Sequence, residues 1–337
     1  TIDATDTSSY GEGTANTPGG ATAATAGTHE FVIAQGPVQG SGAGACTGQT
    51  NVIEVAGAGV AGGVVNSYAH NPSPATDPAS GGRSTFQVVR VPRYSSITFS
   101  GTGSLTAPAW NGLTGGVLAV DVTGTVDLGG GTTTRFNAAG LGFRGGLCAT
   151  QGTDSAGEDT QFRLAAPSAT NARKGEGYAG SSCGLSNISA CAVNVQGYVD
   201  GADGKGAPGN AGGGGQRCQL DSASGGGGGA GGGSGGLGGT SDSGGGNACN
   251  DVARAGHGGG VLPSGNTNET RLLLGGGGGA GSRLTGATNC AGGPGGGIVV
   301  IRANAISSSS AGPPVISANG GNAPNAGGVE DVAGGGG

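Results

Sequence analysis

Methionine is absent from the 337 residues, tryptophan occurs once, histidine three times, and only 10% of the side chains are charged. Each shortage excludes something. Soluble domains usually carry about 25% charge, so the surface of an ordinary enzyme is not expected. With aromatics at 4%, a conventional side-chain core can be built only in the first half. No apolar run approaches the roughly 20 residues that a membrane-crossing helix needs, which argues against membrane insertion. A net charge of −6 argues against nucleic acid and anionic lipid as partners. The missing methionine makes Thr1 read as a processed end, and removal of a signal peptide predicts an extracellular or cell-surface location.

Catalytic groups are equally scarce. His29, His70 and His257 lie far apart, with no second ligand at zinc spacing. His257, between two glycines, is expected on the surface. Gly204-Lys205-Gly206-Ala207-Pro208-Gly209 lacks the ending of a phosphate loop. Asp127, Asp200 and Asp203 read as surface turn acids, because no calcium-loop spacing surrounds them. The expectation is a protein that is not an enzyme, with no catalytic residue, metal or cofactor.

What the chain has in abundance is glycine, 85 residues of it. Runs at Gly212–Gly215, Gly225–Gly229 and Gly275–Gly279 dominate the stretch 206–297. Glycine loses the most conformational freedom on ordering, so such a stretch is by default a flexible coil. The alternative is a set of left-handed extended helices with three residues per turn, which have no internal hydrogen bonds and must bond to one another. Only glycine lets two backbones approach closely enough for that, as at the collagen axis. Collagen itself is excluded by the missing Gly-X-Y period. Apolar residues at 272–274 and recurring cysteines favour the ordered alternative.

In chain order, 1–50 reads as an extended arm, which could lie on a neighbouring subunit by adding Phe31-Val32-Ile33 to a sheet edge. A β domain is expected over 51–146, with strands at Val52–Val55, Phe86–Val91, Ser96–Phe99, Val117–Val122 and Gly124–Leu128. His70–Arg83, with three prolines, reads as a loop, and Trp110-Asn111-Gly112 as a turn whose indole caps the sheet. Residues 147–295 form the glycine-rich region and 296–337 a second β unit with a glycine-rich tail. No window shows helical periodicity. An internal repeat links the two β units. Gly116-Val117-Leu118-Ala119-Val120 corresponds to Gly297-Ile298-Val299-Val300-Ile301, and Phe136-Asn137-Ala138 to Ile316-Ser317-Ala318. The offset is 181 at the first element and 180 at the second, which places a one-residue difference in the turn. The two units are expected to pair or to stack in one sheet. The fold class is therefore all-β plus polyglycine II: a β-sandwich-like or stacked-sheet domain on a bundle of polyglycine II helices, with essentially no α-helix.

Seven cysteines in so uncharged a chain point to disulfides in an oxidising compartment. Cys183 and Cys191 could close a small loop, while Cys218, Cys249 and Cys290 could staple successive excursions of the glycine region. Connectivity does not follow from sequence. Asn187-Ile188-Ser189 and Asn268-Glu269-Thr270 fit the glycosylation sequon.

Val89-Arg90-Val91-Pro92-Arg93-Tyr94-Ser95, Thr106-Ala107-Pro108-Ala109-Trp110-Asn111-Gly112 and Gly140-Leu141-Gly142-Phe143-Arg144-Gly145-Gly146 before a polyglycine block resemble a loosely defined class of glycine-rich bacterial surface proteins. In composition the glycine blocks also resemble the packed polyglycine II arrays of phage tail-tip adhesins, a springtail antifreeze protein and the ectodomain of some receptor tyrosine kinases. The resemblance implies a secreted, non-catalytic protein and transfers no binding residue. Three functions are open at this point. The first is a structural subunit of a surface filament or surface layer, whose partners are copies of itself. The second is an adhesin that presents Trp110, Tyr178 and Tyr198 at loop tips to a cell-surface glycan or receptor. The third is an ice-binding protein using Thr132–Thr134.

Overall fold

The computed structural model describes residues 2–3, 26–40, 51–68, 84–147, 162, 172–179, 203–218, 222–239, 255–261, 271–282, 290–308, 315–324 and 336–337. Within them lie thirteen strands, one three-residue 3-10 turn (Val60–Gly62) and no α-helix. The strands are β1 (Ile2–Asp3), β2 (Ile33–Ala34), β3 (Val55–Ala56), β4 (Ser84–Thr85), β5 (Arg93–Tyr94), β6 (Ile97–Thr98), β7 (Leu105–Thr106), β8 (Val117–Asp127), β9 (Thr134–Asn137), β10 (Arg217–Cys218), β11 (Ser222–Ala223), β12 (Ile298–Ser307) and β13 (Val315–Ser317).

The organising element is a coil that repeats three times. One sheet runs β12-β8-β5, with β6 also on β8, and a second runs β13-β9-β7; every pairing in both is parallel. Parallel neighbours cannot be joined by a tight hairpin. Here β5 and β6 of the first sheet lead to β7 of the second, β8 leads to β9, and β12 precedes β13, so residues 93–106, 117–137 and the described parts of 298–317 form stacked coils. Val120, Val122, Val126 and Leu128 of the middle coil face Phe136 across the space between the sheets, packed by Ile97, Phe99 and Leu105 on one side and Val299 and Ile301 on the other. Val126 and Phe136 are fully buried, each contributing roughly 1.5–3 kcal/mol by leaving water.

The two copies of the repeat thus lie side by side in register. Partners are 181 residues apart from Ile298↔Val117 to Ala303↔Val122, and 180 apart from Ala305↔Thr125 to Ser307↔Asp127. The step in offset therefore arises first at a bulge inside the strand, not in the turn as the sequence suggested. A second irregularity, between Val315 and Ile316, resets the register in the smaller sheet. Val117–Val122 and Gly124–Leu128, expected as two strands, fall in the single strand β8, which ends at Asp127. The first coil, Arg93–Thr106, is a third copy that the sequence reading missed. It puts Arg93 opposite Asp121 and Leu105 opposite Phe136.

Three expected elements differ from the structure. Phe86–Val91 belongs to no strand of the described sheets, and Val88 is 78% exposed. The Gln87 side chain takes over the bonding there, accepting from Gly115 N–H at 2.8 Å and donating to Gly115 C=O at 3.1 Å. Of the expected strand Phe31–Ile33 only Ile33 lies in a strand: β2, Ile33–Ala34, pairs with β3 of its own chain in a two-stranded antiparallel ribbon. Trp110 caps no sheet. It is buried edge-on to Phe143, 5.8 Å between centroids, beside Tyr178 and Leu274, where the glycine region meets the coils. The loop at 70–83, the sequons, Cys183, Cys191, Cys249, His70, Asp200 and Tyr198 lie outside the described residues.

The glycine region enters after the second coil and leaves before the third. Its middle segment, 275–282, bonds only outward. Gly275, Gly278 and Gly281 donate to the carbonyls of Gly296, Gly293 and Cys290; Gly276, Gly279 and Ser282 to Ala230, Gly227 and Ser224; Gly277 and Ala280 to Glu176 and Arg173, all at 2.8–3.0 Å. The donors rotate through three neighbours with a period of three residues. The acceptors turn towards three others: Gly275 and Gly278 accept from Phe143 and Gly146, Gly277 and Ala280 from Gly212 and Gly215, and Gly276 from Gly337. Six extended segments therefore surround one. Two of them, 143–146 and 212–215, run parallel to it, while 173–176, 224–230 and 290–296 run antiparallel.

Candidate functional site

Two features could carry function: the array of extended segments with the polar side chains set into it, and the free edge of the third coil. In the array, contact with neighbouring backbone excludes side chains. A Cβ on Gly277 would overlap the Arg144 carbonyl, one on Gly279 the Gly213 carbonyl, and one on Gly229 the Gly276 carbonyl. Polar residues bracket the runs and occupy the bonds that the glycine backbone leaves over. Buried Asn210 accepts from Tyr178 N–H at 3.1 Å and donates to Leu274 C=O at 3.0 Å. At the other end, Ser224 N–H donates to Ser282 Oγ at 2.8 Å, and Gln216 N–H to Ser224 Oγ at 2.7 Å. The sequence signal for these residues was present, since Asn210 and Gln216 flank Gly212–Gly215 and Ser224 precedes Gly225.

Charged side chains are buried here as well. Arg144 grips Glu176 with two nitrogens, Nε to Oε2 at 2.8 Å and Nη2 to Oε1 at 3.2 Å, and its backbone N–H adds a third bond at 3.1 Å. Lys174 is fully buried and donates to the carbonyls of Phe162 and Gly206. Lys205 stands 4.5 Å over the Phe162 ring. His257 meets the same ring edge-on at 5.2 Å.

Two sequence expectations fail in this cluster. His257 is buried, not exposed, because its extended segment is enclosed by 205–209, 213 and 225–228. Burial, and then the charges of Lys205 and Lys174, push its pKa down to about 4, so it is a neutral ring in the folded protein. Asp203 is not a surface acid but fully buried, 3.9 Å from Arg173. Asp127 does sit at a turn, where its carboxylate accepts from Gly129 N–H at 2.9 Å.

Among the described residues no group of three or more His, Cys, Asp or Glu side chains is placed to hold a metal ion. An open cleft of about 500 Å³ runs along 226–239 and 336–337; only Ser234 and Leu237 lend it side chains. Of the five candidate cysteines, Cys290 is buried and disulfide-bonded, and Cys218 ends β10, paired with β11. Trp110 and Tyr178 are 6% and 3% exposed, which removes them from loop tips. Burial also raises the pKa of the Tyr178 hydroxyl.

The second feature is β12. It is the last strand of its sheet, ten residues long, and among the described residues only β8 pairs with it. Its Arg302 lies 3.8 Å from Asp121, which Arg93 approaches at 3.4 Å from the other side.

No family model, no curated protein and no solved structure matches this chain. No helix among the described residues is long and apolar enough to cross a membrane.

Proposed function

We propose that the chain is an extracellular structural protein, a subunit of a surface filament or surface layer, whose rigid part is a bundle of polyglycine II helices. The observation that carries this reading is the bonding of 275–282 to six surrounding segments with a three-residue period. Three residues per turn, extended backbone and exclusively intersegment bonds are the properties of that helix. A body held by peptide groups presents few side chains to proteases or ligands, which suits a durable external material. The disulfide at Cys290 agrees with an oxidising compartment. The free edge of β12 supplies a means of joining subunits, because an open parallel edge is a template for strand addition.

Amide hydrogen exchange tests the bundle in the intact protein. The expected result is protection at Gly275–Gly281 comparable to that of β8, with fast exchange in the exposed ribbon at 31–38. Exchange of 275–281 as fast as that ribbon would remove the reading.

A further inference from the structure

The third coil ends where a further layer should begin. Ile306 is paired with Val126 and Ile316 with Phe136. Yet Val126 and Phe136 are completely buried while Ile306 is 50% and Ile316 43% exposed. The difference between equivalent positions is the strand that covers the middle coil and that, among the described residues, the last one lacks. Charge points the same way. Across the sheet, Arg93, Asp121 and Arg302 stand level with one another, and the Arg302 side chain remains 75% exposed. The next member of that row should be an acid. The first coil of another copy does not fit, since it would bring Arg93 against Arg302 in register, and its strands are two residues long and preceded by Pro92.

The chain contains a segment that does fit. Thr1-Ile2-Asp3-Ala4-Thr5-Asp6-Thr7 follows the pattern of Ala119-Val120-Asp121-Val122-Thr123-Gly124-Thr125, with identical residues at Asp3/Asp121, Thr5/Thr123 and Thr7/Thr125 and apolar ones at Ile2/Val120 and Ala4/Val122. The latter is the part of β8 that pairs with β12. We propose that Thr1–Thr7 of a second copy adds as a parallel strand to the free edge of β12, with Ile2 beside Ile301, Asp3 beside Arg302 and Ala4 beside Ala303. Seven residues span about 23 Å, enough to bring Thr7 level with Ile306. In its own chain Ile2–Asp3 is held by a two-residue pairing with Ser84–Thr85, and joining the β12 edge of another molecule exchanges that small ladder for a longer one. Such a contact is head-to-tail and continues into an open row of subunits. The proposal rests on the structural-subunit reading and gives its joint a chemistry.

The test uses the whole chain and its charge-reversed variants Asp3→Arg and Arg302→Glu, followed by sedimentation and negative-stain microscopy. Wild type is expected to form rows. Each single variant should need about tenfold higher protein concentration to do so, and the double variant should regain wild-type behaviour. A mixture of the two single variants should form rows in which they alternate. Between molecules, the reversed arm of the Asp3→Arg copy meets the reversed edge of the Arg302→Glu copy, and the unaltered arm of the latter meets the unaltered edge of the former. Hydrogen exchange of Gly275–Gly281, unchanged in every variant, serves as the control for folding. If a variant fails that control, a peptide of residues 1–10 is added to a chain lacking residues 1–7; binding supports the proposal and its absence overturns it. Rows that form equally well in both single variants overturn the arm joint and leave the structural reading standing. Rescue in the double variant without rows in the mixture places the arm on its own chain and overturns the exchange. Wild-type protein that stays monomeric at every concentration sinks both.

Discussion

Glycines in this chain differ according to what surrounds them. At Gly277 an added methyl would land on the Arg144 carbonyl, whereas at Gly236 nothing lies within 4 Å. Gly277→Ala is expected to destabilise by at least about 2 kcal/mol, by overpacking a backbone contact that cannot yield. Gly236→Ala should stay within about 0.5 kcal/mol of wild type or gain slightly from a less flexible unfolded chain. Denaturant titration of the two variants checks the contrast. Buried Glu176 provides a second case: Glu176→Ala leaves Arg144 without its bidentate partner, at a cost of about 3–5 kcal/mol. His257 contributes a pH dependence. Its folded pKa, about 4, lies below the ordinary 6.5, so the unfolded state binds the proton more readily. The contribution of this group is fully present above pH 6.5 and lost as pH falls towards 4. Relative to His257→Phe, wild type should lose stability as pH falls from 7 to 4; parallel curves would contradict the buried neutral ring.

At the scale of elements, equivalent positions of successive coils have unequal value. Phe136→Ala should cost about 3–5 kcal/mol because it opens a cavity in a closed core. Ile316→Ala, at the paired but half-exposed position, should cost about 1 kcal/mol in dissociated chains and more once the edge is covered. The comparison requires thermal melts at low and high protein concentration. How far such elements could be read from sequence depended on what fixed them. The second and third coils were legible because Gly116–Val120 and Gly297–Ile301 preserve apolar strands behind a glycine pair. The first coil was not, because Pro92 and the split into Arg93–Tyr94 and Ile97–Thr98 break the period that betrays a strand. Phe86–Val91 misled for the opposite reason: its residues favour strands, but Gln87 bonds to Gly115 through its side chain. For the array, the glycine runs Gly212–Gly215, Gly225–Gly229 and Gly275–Gly279 lie among the segments that bond to one another, while His257 and Asp203 were misplaced. Their burial follows from which segments become neighbours, and spacing along the chain does not encode that in a region of drifting glycine runs.

For the whole molecule, the coils and the array differ in what holds them. The coils exclude water from hydrocarbon, and the array satisfies peptide groups with peptide groups around a central segment. Sub-global opening is therefore expected to occur in two units, with urea releasing them at separable midpoints in hydrogen-exchange experiments. A single midpoint at all amides would show that the segments 138–146 and 290–297, which pass from one into the other, tie them into one cooperative body.

An interior made of peptide has a thermal consequence. Exposing apolar surface raises the heat capacity on unfolding and exposing polar surface lowers it, and the usual balance is about 12–15 cal/mol/K per residue. The array around Gly275–Ser282 exposes mostly amides when it opens, so its increment should be well below that range in calorimetry. A small increment flattens the dependence of stability on temperature, and the stiffness of this half of the molecule should persist into the cold, where oil-cored proteins begin to loosen.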